Sequence, residues 1–162
     1  MKIAIISDSH DNTKNIDKFL DYSKKNHPDA IIHCGDVCRK ETLDLILKNF
    51  DSKIYLSLGN GDMPNDFSEY KNNPMIEIFP HAGILDLPEI NIAFAHYKDI
   101  VKSYSKKCDF IFYGHTHKPW VEQIGNAFIA CPGNLAGINY AATFAILDTI
   151  TKKLELKILD KL

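Results

Sequence analysis

The first third of the chain alternates short apolar runs with segments in which apolar side chains recur at near-helical spacing. The runs are rich in β-branched residues, which is typical of buried strands. They cover residues 2–7, 30–33 and 53–58. The helical segments extend from a cap at Asn12 and Thr13 to a point before Pro28, and over residues 41–50. Connections this short favour a parallel sheet with right-handed crossovers.

The second half of the chain contains more strand-like runs and fewer helical ones. Residues 58–73 are polar and rich in Gly and Asn, which predicts a loop with a short helix, and residues 99–106 predict a further helix. The turn signal Gly125-Asn126 joins two runs into a hairpin, and we expect the strands of this half to be antiparallel. The predicted strands are residues 75–79, 83–87, 91–95, 110–113, 121–124, 127–131, 142–147 and 154–159.

No internal repeat, low-complexity segment or linker divides the sequence. All of the apolar runs can be buried if two packed mixed β-sheets are flanked by helices, so we predict an α/β fold in one domain over residues 1–162.

Composition narrows the class of protein. The 162 residues carry 19 Lys plus Arg and 21 Asp plus Glu, a net charge of −2, which argues against binding to long nucleic acids. No run of about 20 apolar residues is present that would span a membrane. The residues after Met1 do not form a signal peptide, so we expect a cytoplasmic protein whose four cysteines stay as thiols.

Polar side chains with metal-binding chemistry follow five of the predicted strands, at the point where each strand ends. In α/β sheets the carboxyl ends of the strands border the ligand crevice, so these side chains are expected to converge. They are Asp8 and His10, Asp36, Asn60 and Asp62, His96, and His115 and His117.

Seven of these side chains, all of them except Asp62, form a candidate ligand set that offers only oxygen and imidazole nitrogen. Such mixed ligands suit Mn, Fe, Zn, Ni or Co, and the lack of thiolates argues against a structural zinc site of the all-cysteine type. The ligands are too many for one ion but suit two ions that share a bridging aspartate. Two ions about 3.5–4 Å apart can clamp the attacking and leaving oxygens of a phosphoryl displacement and lower the pKa of a bridging water.

Five sequence blocks resemble those of the calcineurin-like metallophosphoesterase superfamily. In size, order and spacing they are similar to the compact YfcE-type phosphodiesterases of bacteria and archaea, and the resemblance covers essentially the whole chain. The blocks are Asp8-Ser9-His10, Gly35-Asp36, Gly59-Asn60-Gly61-Asp62, His96 and Gly114-His115-Thr116-His117. The resemblance implies a four-layer α/β/β/α sandwich and a dinuclear phosphoesterase, most consistent with a phosphodiesterase.

The resemblance also implies a role for each ligand. Asp36 would bridge the two ions, and a bridging hydroxide would attack phosphorus in line, with Asn60 and His96 in the catalytic set. Mn²⁺ or Ni²⁺ is favoured, while Mg²⁺, Zn²⁺, Fe²⁺ and Co²⁺ also fit. The first ion would be held by Asp8, His10, Asp36 and His117, and the second by Asp36, Asn60, His96 and His115.

Three residues are candidates for contacts with the phosphate. The amide oxygen of Asn60 can bind a metal while its NH₂ group reaches the phosphate. Asn12 lies at a predicted helix N-terminus, where backbone N–H groups favour an anion. Arg39 follows Asp36 closely in sequence and is a candidate to steady a phosphate oxygen.

Two departures from the family pattern bear on the substrate. Many relatives carry a His directly after the Asn of the third block as an acid for the leaving group, whereas this chain has Gly61. This favours small phosphodiesters or activated aryl esters, and leaves Asp62 either to orient a neighbour or to act as a weak acid. Many relatives also carry His-Gly-His in the fourth block, whereas this chain has His96-Tyr97-Lys98, in which Lys98 is a candidate electrostatic substitute.

Alternatives remain open at this point. One alternative is a non-catalytic metal-binding scaffold of the same fold, since a scaffold protein of this superfamily resembles the chain in size. Another is a nuclease or cyclic-nucleotide phosphodiesterase, which would use the same ligands. The β-rich second half is compatible with a homodimer through an exposed strand edge. His33 ends a buried strand and is interpreted as a core residue or as a residue that supports the ligands.

Overall fold

Eleven strands and three α-helices follow one another along residues 1–162, all of which the computed structural model describes. The strands are β1 Lys2–Ile6, β2 Ala30–His33, β3 Lys53–Ser57, β4 Ile76–Phe79, β5 Ala82–Asp86, β6 Asn91–Ala95, β7 Phe110–Tyr113, β8 Trp120–Ile124, β9 Ala127–Cys131, β10 Thr143–Asp148 and β11 Lys153–Ile158. The helices are α1 Thr13–Asn26, α2 Lys40–Asn49 and α3 Lys98–Lys102, with 3₁₀ helices at Pro64–Asn72, Ser103–Lys106 and Leu159–Lys161. None of these helices combines the length and the apolar character that crossing a membrane requires.

The strands form two sheets, as the sequence predicts. The six-stranded sheet has the order β11-β10-β1-β2-β3-β4, and the five-stranded sheet has the order β5-β6-β7-β9-β8. Strands β1 to β4 are parallel, whereas β10 is antiparallel to both of its neighbours. The carboxyl ends of β1, β2 and β3 therefore lie at one edge of the first sheet.

The expectation that the second half is antiparallel is wrong for the centre of the second sheet. Strands β6, β7 and β9 are parallel, and only the edge strands β5 and β8 are antiparallel to their neighbours. Helix α3 connects the end of β6 to the start of β7, and the antiparallel strand β8 connects β7 to β9. Each connection brings the chain back to the same edge of the sheet, so β6, β7 and β9 run in the same direction. As a result β6 and β7, like β1 to β3, end at an edge where loops can carry ligands.

Three apolar clusters separate four layers. Helices α1 and α2 cover one face of the first sheet through Phe19, Leu43 and Ile46. Side chains such as Ile5 and Phe94 fill the space between the two sheets. The third cluster lies between helix α3 and the outer face of the second sheet. The predicted arrangement of two packed mixed sheets flanked by helices is confirmed.

Candidate metal centre

The loops at the carboxyl ends of β1, β2, β3, β6 and β7 carry all of the predicted ligands. Five ligand residues have a left-handed backbone, a conformation that costs a residue other than Gly about 1–3 kcal/mol. They are Asp8 (φ 51°), His10 (φ 41°), Asp36 (φ 59°), His115 (φ 66°) and His117 (φ 58°). Hydrogen bonds hold the loops against this strain, since Asp8 N donates to Gly35 O at 2.9 Å and His10 N donates to Asp36 O at 3.1 Å.

The first ligand group lies between the loops after β1 and β7. His117 Nε2 is 3.2 Å from Asp8 Oδ1, and His10 Nε2 is 3.5 Å from Asp36 Oδ2. One ligand atom from each of Asp8, His10 and His117 falls within 4.8 Å of the others. The structure thus brings together the four residues predicted for the first ion.

The second ligand group lies beside it, at the ends of β2, β3, β6 and β7. His96 Nε2 is 3.0 Å from Asn60 Oδ1 and 3.5 Å from Asp36 Oδ1. The rings of His96 and His115 lie edge to face, with centroids 5.0 Å apart. Because its two oxygens face His10 and His96 separately, Asp36 occupies the position expected of a bridging carboxylate.

The hydrogen bonds of His96 test whether a cation fits here. His96 Nδ1 lies 2.9 Å from the carbonyl oxygen of Cys34, which can only accept, so the proton of a neutral ring belongs on Nδ1. The lone pair of Nε2 then faces the Asn60 and Asp36 oxygens, which are themselves acceptors. Three electron-rich atoms that converge without a shared proton fit a metal ion, as does this mixture of oxygen and imidazole donors.

Burial shapes the electrostatics of both groups. Asp8 is fully buried, and burial raises its pKa to about 7, against the opposing hydrogen bond from the Ser7 hydroxyl at 2.5 Å. Burial also lowers the pKa of His96 and of His117, which favours the neutral form of the ring that binds a metal. A divalent ion would offset the cost of ionising the buried carboxylate.

The comparison with family models decides the family. The model described as the calcineurin-like phosphoesterase superfamily domain matches residues 1–152. The chain belongs to this superfamily. The resemblance carried by the five sequence blocks is confirmed, and the protein is a metal-dependent phosphoesterase.

Individual relatives agree with this assignment. A phosphodiesterase of Methanocaldococcus jannaschii is 28% identical over 161 residues, covering 94% of this chain and 96% of the relative. A solved archaeal phosphodiesterase matches with a TM-score of 0.88 at 25% identity, over 98% of this chain and 99% of that one. The phosphoesterase YfcE of E. coli shares the fold, with a TM-score of 0.73 at 17% identity over 98% of this chain and 100% of that one.

In this phosphoesterase, Asp62 stabilises the loops that carry Asp36 and Asn60. Its Oδ2 atom accepts hydrogen bonds from Asp36 N at 2.9 Å and Gly59 N at 2.7 Å, and its Oδ1 atom accepts one from Cys38 N at 2.7 Å. Both oxygens of this buried carboxylate are therefore engaged by the backbone. Of the two roles predicted for Asp62, this geometry favours the orientation of its neighbours.

Asn12 caps helix α1, and both polar atoms of its side chain have partners within the protein. Its Oδ1 atom accepts from Asn15 N at 3.2 Å, and its Nδ2 atom donates to Ala136 O at 2.8 Å. The backbone N–H groups of Asn12 and Thr13 donate to carbonyl oxygens of the preceding loop. The start of α1 thus leaves neither the Asn12 amide nor these two N–H groups free for a phosphate.

The two cations suggested for the substrate side are paired with carboxylates. Arg39 lies at the rim with its side chain 79% exposed, and its Nε atom is 3.5 Å from Asp11 Oδ2. Lys98 Nζ lies 2.6 Å from Glu122 Oε1, which neutralises it. The charge of Lys98 is thus not directed at the ligand groups.

Sequence reasoning missed two side chains that touch the ligands. Cys38 Sγ lies 3.5 Å from His10 Nδ1, and burial raises the pKa of this thiol to about 12, so it stays protonated. The hydroxyl of Tyr97 donates to Asn60 Oδ1 at 3.1 Å. For Tyr97, the sequence signal was the departure from His-Gly-His at this position. For Cys38, no motif gave a signal.

Proposed function

We propose that the protein is a phosphodiesterase that hydrolyses small phosphodiesters with two divalent ions, Mn²⁺ or Ni²⁺ being favoured. The observation that carries the proposal is the position of Asp36, whose two carboxylate oxygens each lie 3.5 Å from the Nε2 atom of a different histidine. A carboxylate shared in this way joins the two ligand groups into one site. Bound there, the ions would supply a nucleophilic water near neutral pH and neutralise charge on the phosphoryl oxygens.

The residues of the chain itself hold and orient this site. Gly61 N donates to Asp36 Oδ1 at 2.7 Å, which fixes the rotation of the shared carboxylate. His115 N donates to both oxygens of Asp8, at 3.2 and 3.1 Å. The NH₂ group of Asn60 has no protein partner and Asn60 is exposed, so this amide is available to a phosphate oxygen.

Substrate preference follows from what stands next to Asn60. Gly61 supplies no side-chain acid, and the carboxylate of Asp62 is engaged by three backbone N–H groups. Without a proton donor, poor alkoxide leaving groups are expelled slowly, whereas aryl groups leave unaided. Activated diesters should therefore be better substrates than alkyl monoesters, in line with the M. jannaschii relative that is named a phosphodiesterase.

The test crosses metals with substrates. The chelated protein is reconstituted with Mn²⁺, Ni²⁺, Mg²⁺ or Zn²⁺ and assayed with an aryl monoester, a bis-aryl diester, a cyclic nucleotide and an oligonucleotide. We expect the bis-aryl diester to be hydrolysed fastest, with Mn²⁺ or Ni²⁺. A faster reaction with the monoester would overturn the diester assignment, and no hydrolysis in any combination would support a scaffold.

A further inference from the structure

Tyr97 contacts the second ligand group at two points. Its hydroxyl donates to Asn60 Oδ1 at 3.1 Å. The Tyr97 ring lies edge to face with the rings of His115 and His96, with centroids 4.7 and 5.0 Å away. Three of the four residues predicted to hold the second ion are thus touched by this one side chain.

The backbone of Tyr97 is held where the side chain needs it. Tyr97 is the residue between His96, which follows β6, and the first residue of α3, and its backbone is extended with φ −97° and ψ 132°. His96 itself is anchored through Nδ1 to Cys34 O. The ring and hydroxyl therefore project from a fixed junction between a strand and a helix.

Asn60 depends on this contact more than the other ligands do. Asn60 lies in an exposed loop. With the proton of His96 on Nδ1, where the carbonyl oxygen of Cys34 accepts it, the Tyr97 hydroxyl is the group of the protein that donates to Asn60 Oδ1. Asp8 and Asp36, by contrast, are buried and accept hydrogen bonds from backbone N–H groups. A side-chain amide can rotate by half a turn and present NH₂ in place of oxygen, and a donor on Oδ1 opposes that rotation.

We propose that Tyr97 is a positioning residue that orients Asn60 and His115 for the second metal ion. The inference rests on the proposed two-ion function. Tyr97 stands where many relatives have the glycine of the fourth block. Its hydroxyl fixes the position of the ligand oxygen of Asn60, and its ring limits the rotation of the imidazole of His115. The first ligand group does not touch Tyr97, so its affinity for an ion should not depend on this residue.

Calorimetric titration of the chelated protein with Mn²⁺ tests the proposal without an activity readout. In Tyr97→Phe we expect the affinity for one ion to fall about threefold to tenfold, as for the loss of one hydrogen bond, while the affinity for the other stays at the wild-type value. Tyr104→Phe is the matched control, because the half-buried Tyr104 packs against the apolar cluster on the outer face of the second sheet. In an Asn60→Ala background, Tyr97→Phe should have no further effect.

Equal affinities in Tyr97→Phe and the wild type would overturn the proposal, and so would equal weakening of both ions. If the wild type binds a single ion, the proposal also fails, because there is then no second ion to position. Hydrolysis of a bis-aryl phosphate by the same wild-type sample separates these failures from failure of the phosphodiesterase assignment, since that activity does not require Tyr97 to act on Asn60.

Discussion

The Nε2 atoms of His10 and His117 lie 3.3 Å apart, and both face the buried carboxylate of Asp8. Burial lowers the pKa of His117, and the neighbouring ring of His10 lowers it further. A proton shared between the two nitrogens is therefore disfavoured. A divalent ion bound here would accept both lone pairs and balance the charge of the carboxylate.

Metal binding should therefore stabilise the fold. At a Mn²⁺ concentration of a hundred times the dissociation constant, each bound ion should raise the free energy of unfolding by about 2.7 kcal/mol. His117→Ala should reduce this gain, whereas the exposed His81→Ala should retain it. Thermal unfolding of the three proteins with chelator and with Mn²⁺ measures the effect. An equal gain in His117→Ala would place the ion elsewhere.

Gly114→Ala should disrupt the first ligand group. A Cβ atom at Gly114 would overlap Ser7 Oγ and lie 2.6 Å from Cys34 O and 2.8 Å from Asp8 Oδ2. Because two of these three atoms belong to the buried Ser7 and Asp8 side chains, the methyl group must displace the ligand. We expect about 1–3 kcal/mol of destabilisation, as in other overpacked cores, together with weaker Mn²⁺ binding. Wild-type binding in a folded Gly114→Ala protein would contradict this account of Asp8.

Asp62→Asn separates the bracing role of Asp62 from a role as an acid. An amide NH₂ cannot accept from backbone N–H groups, so at least one of the three hydrogen bonds must break. We expect a loss of about 1–3 kcal/mol in the free energy of unfolding, with weaker Mn²⁺ binding. Urea denaturation and calorimetry check both effects. If Asp62 were instead an acid, unfolding and Mn²⁺ binding would stay at wild-type values while only turnover changed.

The burial of His33 should make the free energy of unfolding fall as the pH falls. His33 is buried with its Nε2 atom 3.1 Å from Ser9 Oγ, and burial lowers its pKa to about 3. The unfolded chain takes up a proton near pH 6.5 that the folded protein does not. The contribution of His33 to the free energy of unfolding is therefore complete above about pH 6.5 and is lost as the pH falls towards 3, with a slope of at most about 1.4 kcal/mol per pH unit.

The variant His33→Gln should flatten this slope. Urea denaturation between pH 7 and 5, with chelator present, compares His33→Gln with the wild type and with the exposed His81→Gln. Buried groups such as Asp8 titrate in all three proteins, so the difference between the slopes reports on His33. Equal slopes in His33→Gln and the wild type would contradict the lowered pKa, because they would mean that His33 takes up its proton as readily in the fold as in the unfolded chain.

Much of the architecture could be predicted because periodicity and strand ends are local signals. The runs at Ala30–His33 and Phe110–Tyr113 are strands with the predicted bounds, and each is followed by ligands. The convergence of Asp36 and His96 could be predicted as well, because parallel strands end at one edge of a sheet.

Other features depend on partners that are distant in sequence. An Asn at a helix N-terminus can cap the helix or bind a phosphate, and the carbonyl of Ala136, 124 residues away, decides which atoms Asn12 has free. The parallel pairing of β6, β7 and β9 depends on how the connections pass the sheet, which the alternation of polar and apolar residues does not encode. Tyr97 belongs to the same class, because its role depends on Asn60.

Hydrolysis of a bis-aryl phosphate before and after chelation tests the central claim most directly. The wild-type protein should lose activity with chelator and regain it with Mn²⁺, and Asp36→Ala should stay inactive at every Mn²⁺ concentration, because it removes the carboxylate shared by both ligand groups. Activity that survives chelation, or that persists in Asp36→Ala, would contradict the two-ion site.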